Sequence, residues 1–345
     1  MAIASPSPRR SYRGKSLGGG TSRVLTVHAA ENAMTVTNAR FDTYGLRWTR
    51  LHHIPERPRI AAAVRRGKYL QSLFGSVKCV GKGRSGSTFT LRVTPTVLER
   101  LEDVFGETLS HVIIQKMPIV GSTVLLKVVD LRKGPSMKEA IAHYKRETEA
   151  HLHLCRHPPI TVGQRGPCKH DLYPAKYVPC LFAFGIDLEH GVAVSCMQYV
   201  NGVPIYKVPI TANIFLETQK AMCALWASCV DHNDSHLENI LVTPDGKVFI
   251  IDFEFSARLP KSKQRQFMKF LDMPGGITSL DSAAQVFFAR HSDAIQFQRT
   301  SGRMQYYNPG YKAIRVLWNR MPRQEQQQLL RKYEGKTFAC VLAKQ

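Results

Sequence analysis

The sequence predicts an α+β fold, with β-prone segments grouped between residues 77 and 205, one strong helix among them, and mostly helical patterns afterwards. Three observations carry this. The runs VKCVGKGRSGSTFTLRV, GSTVLLKVVD and YVPCLFAFGIDLEHGVAVSCMQYV are rich in β-branched and apolar residues and are broken by glycine turns. Segments 136–155 and 211–230 space their apolar residues for helices. In Asp231–Ser256, two short apolar runs, NILV and VFIID, flank Thr243-Pro244-Asp245-Gly246, whose Pro and Asp-Gly supply the fixed φ and the positive φ of a tight hairpin.

The chain has 345 residues, 43% of them hydrophobic, enough to bury one core in two lobes or two small domains. Its formal charge of +22 favours acidic partners, meaning nucleic acid, an anionic surface, an acidic peptide or phosphates, although no base-reading motif is present. No run approaches the eighteen apolar residues that a transmembrane helix needs. Eight cysteines lack a dense short-spaced framework, so they are expected as reduced thiols in an intracellular protein, cytoplasmic or nuclear.

Residues 1–75 carry thirteen Lys or Arg against three acids and open on a Ser/Arg/Gly stretch with too little apolar surface to order itself. They read as a basic, partly disordered extension able to meet nucleic acid or another acidic partner; an acid-free first thirty residues also fits a mitochondrial transit peptide. Within them, IAAAVRRGKYLQSLF has helical spacing suited to docking on the following domain. Gly81, Gly83 and Gly86 then form G-x-G-x-x-G between two strands, where glycines let backbone N–H groups approach phosphate oxygens; a plain glycine-rich turn is the alternative. A short helix, TVLERLEDVF, precedes the strand TVLLKVV. Its single charge, Lys127, must find an anion if that strand is buried, or lie on a solvent-facing edge.

Ser136 and Glu139 form a capping box for a helix running to Cys155, on which Glu147, Ala150, His151 and Leu154 share a face. His151, His153, Cys155, His157, Cys168, His170 and Cys180 raise the question of zinc, but the helix turns its members in different directions and no C-x-x-C pair is present. Two strands around Glu189-His190-Gly191 lead to MQYVNGV, and the helix TANIFLETQKAMCALWASCV leads to Asp231. The hairpin that follows gathers Asp234 and Asn239 at one end and Asp252 at the other, thirteen residues after Asn239. That set suits phosphoryl transfer, in which one carboxylate faces the attacking hydroxyl while an amide and a second carboxylate hold Mg2+.

HNDSHLEN with IIDFEFS resembles the catalytic loop and metal-binding segment of the protein-kinase-like superfamily. The wording is closer to its choline/ethanolamine kinase and aminoglycoside phosphotransferase branch than to ordinary Ser/Thr kinases, and is also similar to small kinase-like proteins of fungi. The resemblance spans about residues 77 to 290. It implies a two-lobed kinase-like fold, with an N-lobe of small antiparallel sheet and one regulatory helix at 76–200 and a mainly helical C-lobe at 201–345.

It further implies ATP- and Mg2+-dependent transfer to a hydroxyl of a protein or small molecule. Asp234 would be the base, His232 a brace of its loop, and Asn239 and Asp252 the metal ligands. Lys127 would hold the phosphates with Glu147 as partner, Glu149 being the substitute. Met197, Gln198 and Val200 would receive adenine, His236 would lie near the metal, and Asp281 would support the loop. The insertion between the glycine motif and Lys127 departs from the family pattern, beyond Ser256 no A-P-E or docking segment is legible, and the tail with RVLWNRMPRQEQQQLLRKYEG reads as a basic, Gln-rich surface helix. Glu254 stands where Ser/Thr kinases carry glycine, which would suit a pseudokinase or scaffold, yet it is usual in the small-molecule branch.

Overall fold

The computed structural model describes residues 66–82, 86–105, 118–132, 136–163, 168–188, 190–272, 309–334 and 336–343. Over these residues the protein is mixed α+β with antiparallel sheets. Helix α1 (Arg66–Phe74) leads into strands β1 (Lys78–Lys82) and β2 (Gly86–Arg92), helix α2 (Pro95–Phe105), strand β3 (Thr123–Asp130) and helix α3 (Met137–Arg156). After the short pair β4 (Ile160–Val162) and β5 (His170–Leu172) come β6 (Leu181–Asp187) and β7 (Val192–Gln198). The main sheet has five strands in the order β1-β2-β3-β7-β6, all antiparallel, so β3 lies at its centre.

Strand alternation decides what each face of β3 meets. Val124, Leu126 and Val128 point to one side and are buried with Phe89, Leu91, Val194 and Cys196 beneath α1 and α2. Leu125, Lys127 and Val129 point to the other side, where Ile141, Tyr144 and Leu152 of α3 cover the sheet beside Phe184 and Met197. Ser136 caps α3, accepting the Glu139 N–H at 3.1 Å, as the capping box predicts. Tyr144 is buried in this layer, and its hydroxyl donates to the Val194 carbonyl at 2.6 Å.

The folded body starts before residue 76, where the extension was expected to end. Tyr69, Leu70, Leu73 and Phe74 of α1 are buried in the sheet core, and Tyr69 donates to the Asp187 carboxylate at 3.0 Å. Such an apolar stripe removes itself from water by docking, whatever the charge of the chain ahead of it. The insertion holding α2 serves the same layer, with Leu101 and Phe105 fully buried.

The second half holds strand β8 (Val203–Pro204), helix α4 (Ala212–Ala227), β9 (Val230–Asp231), β10 (Ile240–Val242), β11 (Val248–Ile250), β12 (Ala257–Arg258), α5 (Lys261–Leu271), α6 (Pro309–Arg320), α7 (Arg323–Tyr333) and α8 (Phe338–Ala343). The predicted hairpin forms: Ile240 pairs with Ile250 and Val242 with Val248, and Gly246 takes the positive φ of the turn at 78°. Helix α4 is buried along almost its whole length and is surrounded by the other helices.

Two expectations are corrected here. The Gln-rich tail is not a plain surface helix: Leu329 and Tyr333 of α7 enter the α4 core, and Glu325 accepts the Ala212 N–H at 2.5 Å at the start of α4. Nor are all cysteines free thiols, because Cys168, ahead of β5, is disulfide-bonded to Cys340 in α8 across 172 residues of sequence. Among the described residues no helix is long and apolar enough to cross a membrane.

Candidate functional site

Three segments distant in sequence converge on Lys127. Its Nζ donates to Glu147 Oε1 at 2.6 Å and to Asp252 Oδ1 at 2.8 Å. Lys127 reaches Glu147 because it occupies the α3-facing register of β3 while Glu147 occupies the sheet-facing stripe of α3. Burial alone would lower the Lys127 pKa, but the two carboxylates outweigh it and raise it, so the ammonium stays charged. Burial pushes the Glu147 carboxyl upward, against the pull of Lys127. The Asp252 side chain is the accessible corner of the triad at 40% exposure, against 14% for Lys127 and 10% for Glu147.

Asp252 sits at φ 67°, a left-handed conformation that a short polar side chain tolerates better than a bulky one. The turn sends Asp252 toward Lys127 and the next residue, Phe253, into the core. Phe253 lies between two buried imidazoles, with ring centroids 4.7 Å from His232 and 5.5 Å from His151. His232 Nε2 bonds the Ile251 carbonyl at 2.9 Å while Nδ1 accepts the Asp234 N–H at 3.2 Å, which assigns the neutral tautomer protonated at Nε2. Burial lowers the pKa of both imidazoles to about 4.

The loop from Asp231 to Asn239 is fixed by its own polar groups. Asn239 Nδ2 donates to the Asp234 carbonyl at 2.9 Å and to Asp234 Oδ2 at 3.2 Å, and its own carbonyl accepts Ile251 N–H at 2.9 Å. Asn233 takes φ 59° and ties its amide to the Phe255 carbonyl at 3.2 Å. His236 Nε2 lies 2.9 Å from Asp234 Oδ1. Burial, opposed by His236, raises the Asp234 pKa, and the nearby Asp252 and Glu254 raise it further. Desolvation likewise pushes Asp231 to about 6.

Further ties from α3 hold the segment after Asp252. His143 Nδ1 lies 3.2 Å from Glu254 Oε1, Arg146 donates to the Glu254 carbonyl at 3.3 Å, and the His143 ring meets Phe255 edge-on. The sequence reading passed over His143 and Arg146. The signal was present: His143, Glu147 and His151 recur every four residues and so share one helical stripe.

The remaining predicted residues fall elsewhere. Gly81 and Gly86 lie on the β1–β2 hairpin, as expected, while Gly83 is outside the described residues. Both placed glycines have packing reasons: a Cβ on Gly86 would stand 2.6 Å from the Val128 carbonyl oxygen, and one on Gly81 2.6 Å from Thr88 Oγ1. Met197 is turned into the sheet core, whereas Gln198 is exposed, its side-chain carbonyl accepting the Cys180 N–H at 3.2 Å. Val200 follows β7, half-buried, with its carbonyl accepting Gly202 N–H at 2.9 Å. Glu149 is buried without joining the triad, and burial raises its pKa to about 7. Asp281 is outside the described residues. Among the described residues no three His, Cys, Asp or Glu side chains gather as a metal centre.

Asn239 and Asp252 bring an amide oxygen and a carboxylate, hard oxygen donors of the kind that Mg2+ takes when phosphates and water complete its shell. No family model matches the chain, and no curated protein matches it.

Proposed function

We propose that the protein is an ATP- and Mg2+-dependent phosphotransferase with a two-lobed protein-kinase-like fold, acting on a hydroxyl of a protein or small-molecule acceptor. The observation that carries the reading is the convergence of a central-strand lysine, a helix glutamate and the aspartate after the hairpin, beside a loop in which Asp234 and Asn239 are hydrogen-bonded. The five-stranded sheet with α3 corresponds to the N-lobe, and the α4-centred helices correspond to the C-lobe.

In this reading Asp234 accepts the proton of the attacking hydroxyl. Its raised pKa makes it a stronger base than a solvated carboxylate, and Asn239 and His236 orient its two oxygens. Asn239 and Asp252 would hold Mg2+, which neutralises the charge that develops on the phosphates when bound. Lys127, positioned by Glu147, grips the α- and β-phosphates of ATP. The neutral His232 keeps the Asp234 backbone in place and Ile251 against it. The glycine-rich hairpin covers the nucleotide, and the chain around Gln198 and Val200 meets the base.

One observation favours a second reading, a nucleotide-binding scaffold: Asp252 Oδ1 is already bonded to Lys127. Radiolabelled transfer from γ-labelled ATP across protein, peptide and amino-alcohol acceptors separates the two. Turnover that Asp234→Ala abolishes, with ATP binding retained, is the expected result; turnover equal in wild type and variant would sink the mechanism.

A further inference from the structure

Helix α5, KSKQRQFMKFL, contains no acidic residue. Its apolar side is already used, since Phe267 and Leu271 are buried in the α4 core, Phe267 meets Trp226 edge-on, and Gln264 donates to the Ala227 carbonyl. The side that bears Phe267 and Leu271 is therefore turned to the core and not to a lipid surface. Lys261, Arg265 and Lys269 recur every four residues and are all exposed. Among the described residues none of the three has a carboxylate partner. Like charges at this spacing disfavour an isolated helix, so the stripe carries a cost that an anionic ligand would relieve.

The chain entering the helix passes the proposed site. Ala257 pairs with Asp231, and Leu259 N–H bonds the Cys229 carbonyl at 2.7 Å, so the chain that enters α5 runs along the start of the loop bearing Asp234. Four helical residues rise about 6 Å. Alternate residues of an extended peptide lie about 6.6 Å apart on one face. Carboxylates at every second position of an extended strand therefore meet the three cations in register.

Resting on the phosphotransferase reading, we propose that the face formed by Lys261, Arg265 and Lys269 docks an extended acidic peptide, with acids at alternate positions, whose hydroxyl is presented to Asp234. Binding is followed by fluorescence anisotropy of the full chain with three labelled probes. These are a serine peptide with three aspartates at alternate positions, the same composition with the aspartates contiguous, and a ten-nucleotide oligothymidylate. The alternating peptide should bind best, and Lys261→Glu/Arg265→Glu/Lys269→Glu should weaken it at least about tenfold, about 1.4 kcal/mol. An unchanged melting temperature checks that the variant is folded, and the single Lys→Gln and Arg→Gln variants should each give part of the loss. Equal affinity in wild type and triple variant overturns the proposal, as does equal binding of the contiguous peptide. Tighter, stripe-dependent binding of the oligonucleotide overturns it in favour of a nucleic-acid surface. Phosphate transfer from ATP is scored separately: a peptide that docks without being phosphorylated counts against the phosphotransferase reading, and one phosphorylated equally well by the triple variant counts against the docking surface.

Discussion

Replacing His151 with phenylalanine should change how stability depends on pH about as much as it changes stability at pH 7. The ordinary value for the imidazole is 6.5, and burial against Phe253 and the sheet lowers it to about 4 in the folded protein. Because the folded value lies below the unfolded one, the unfolded chain takes up the proton first. The contribution is complete above about pH 6.5 and is lost as the pH falls toward 4. Between pH 7 and pH 5 this costs about 2 kcal/mol for His151, and about the same for His232. Two buried carboxyls oppose it. Glu149 and Asp231, raised to about 7 and about 6, protonate in the folded state first and together return about 3 kcal/mol over the same window.

These four groups therefore largely cancel between pH 7 and pH 5, and the His151 imidazole is visible only by difference. His151→Phe leaves the Pro179 carbonyl, which His151 bonds at 2.5 Å, with only the weak Cys155 thiol donor at 3.5 Å, at a cost of about 2 kcal/mol at pH 7. By pH 5 the wild type has lost about as much through His151 while the variant has not, so the difference should close to near zero. Urea unfolding of both proteins at the two pH values measures it. An equal difference at pH 7 and pH 5 would refute the claim that His151 is buried and neutral.

Gly86→Ala places a Cβ 2.6 Å from the Val128 carbonyl oxygen and should lower stability by about 1–3 kcal/mol through a displaced β2–β3 pairing, measured by chemical denaturation. Cys340→Ser removes a cross-link over 172 residues and should cost up to about 5 kcal/mol by the chain-entropy relation, with non-reducing peptide mapping of the wild type recovering the Cys168–Cys340 pair. His143→Ala and Glu254→Ala should be non-additive by about 0.5 kcal/mol or more in a double-mutant cycle of unfolding free energies; additivity would mean that the α3 tie carries no energy.

The parts of the site that lie close in sequence were legible because local rules fix them. The Pro-Asp-Gly turn forces the β10–β11 hairpin, and the hairpin brings Asn239 and Asp252 together at its open end, away from the turn. Lys127 was legible for a different reason: a lone charge in an apolar run advertises its need for an anion, while Glu147 was singled out as its partner only by the resemblance of Glu147, Ala150, His151 and Leu154 to a helix pattern of the kinase-like superfamily. The tie from α3 to Glu254 depends on how that helix crosses the segment after Asp252, a tertiary relation with no local pattern of its own. Docking of α1 was legible in the helical spacing of IAAAVRRGKYLQSLF, whereas that of α7 was hidden by composition, because charge and glutamine dominate its stretch while a few apolar side chains decide its fate. The Cys168–Cys340 bond joins residues that become neighbours only when α8 packs beside β5, and spacing could not predict it.

The central claim is that Lys127, Glu147, Asp252 and Asn239 form a site for ATP with Mg2+, and thermal unfolding of the full chain tests it directly. At ligand a hundredfold above its dissociation constant, binding should stabilise the wild type by about 2.7 kcal/mol and raise its melting temperature by several degrees. The account predicts that this rise requires Mg2+ and disappears in Asp252→Ala. No rise with ATP at any Mg2+ concentration, or a rise indifferent to both Mg2+ and Asp252, would contradict it.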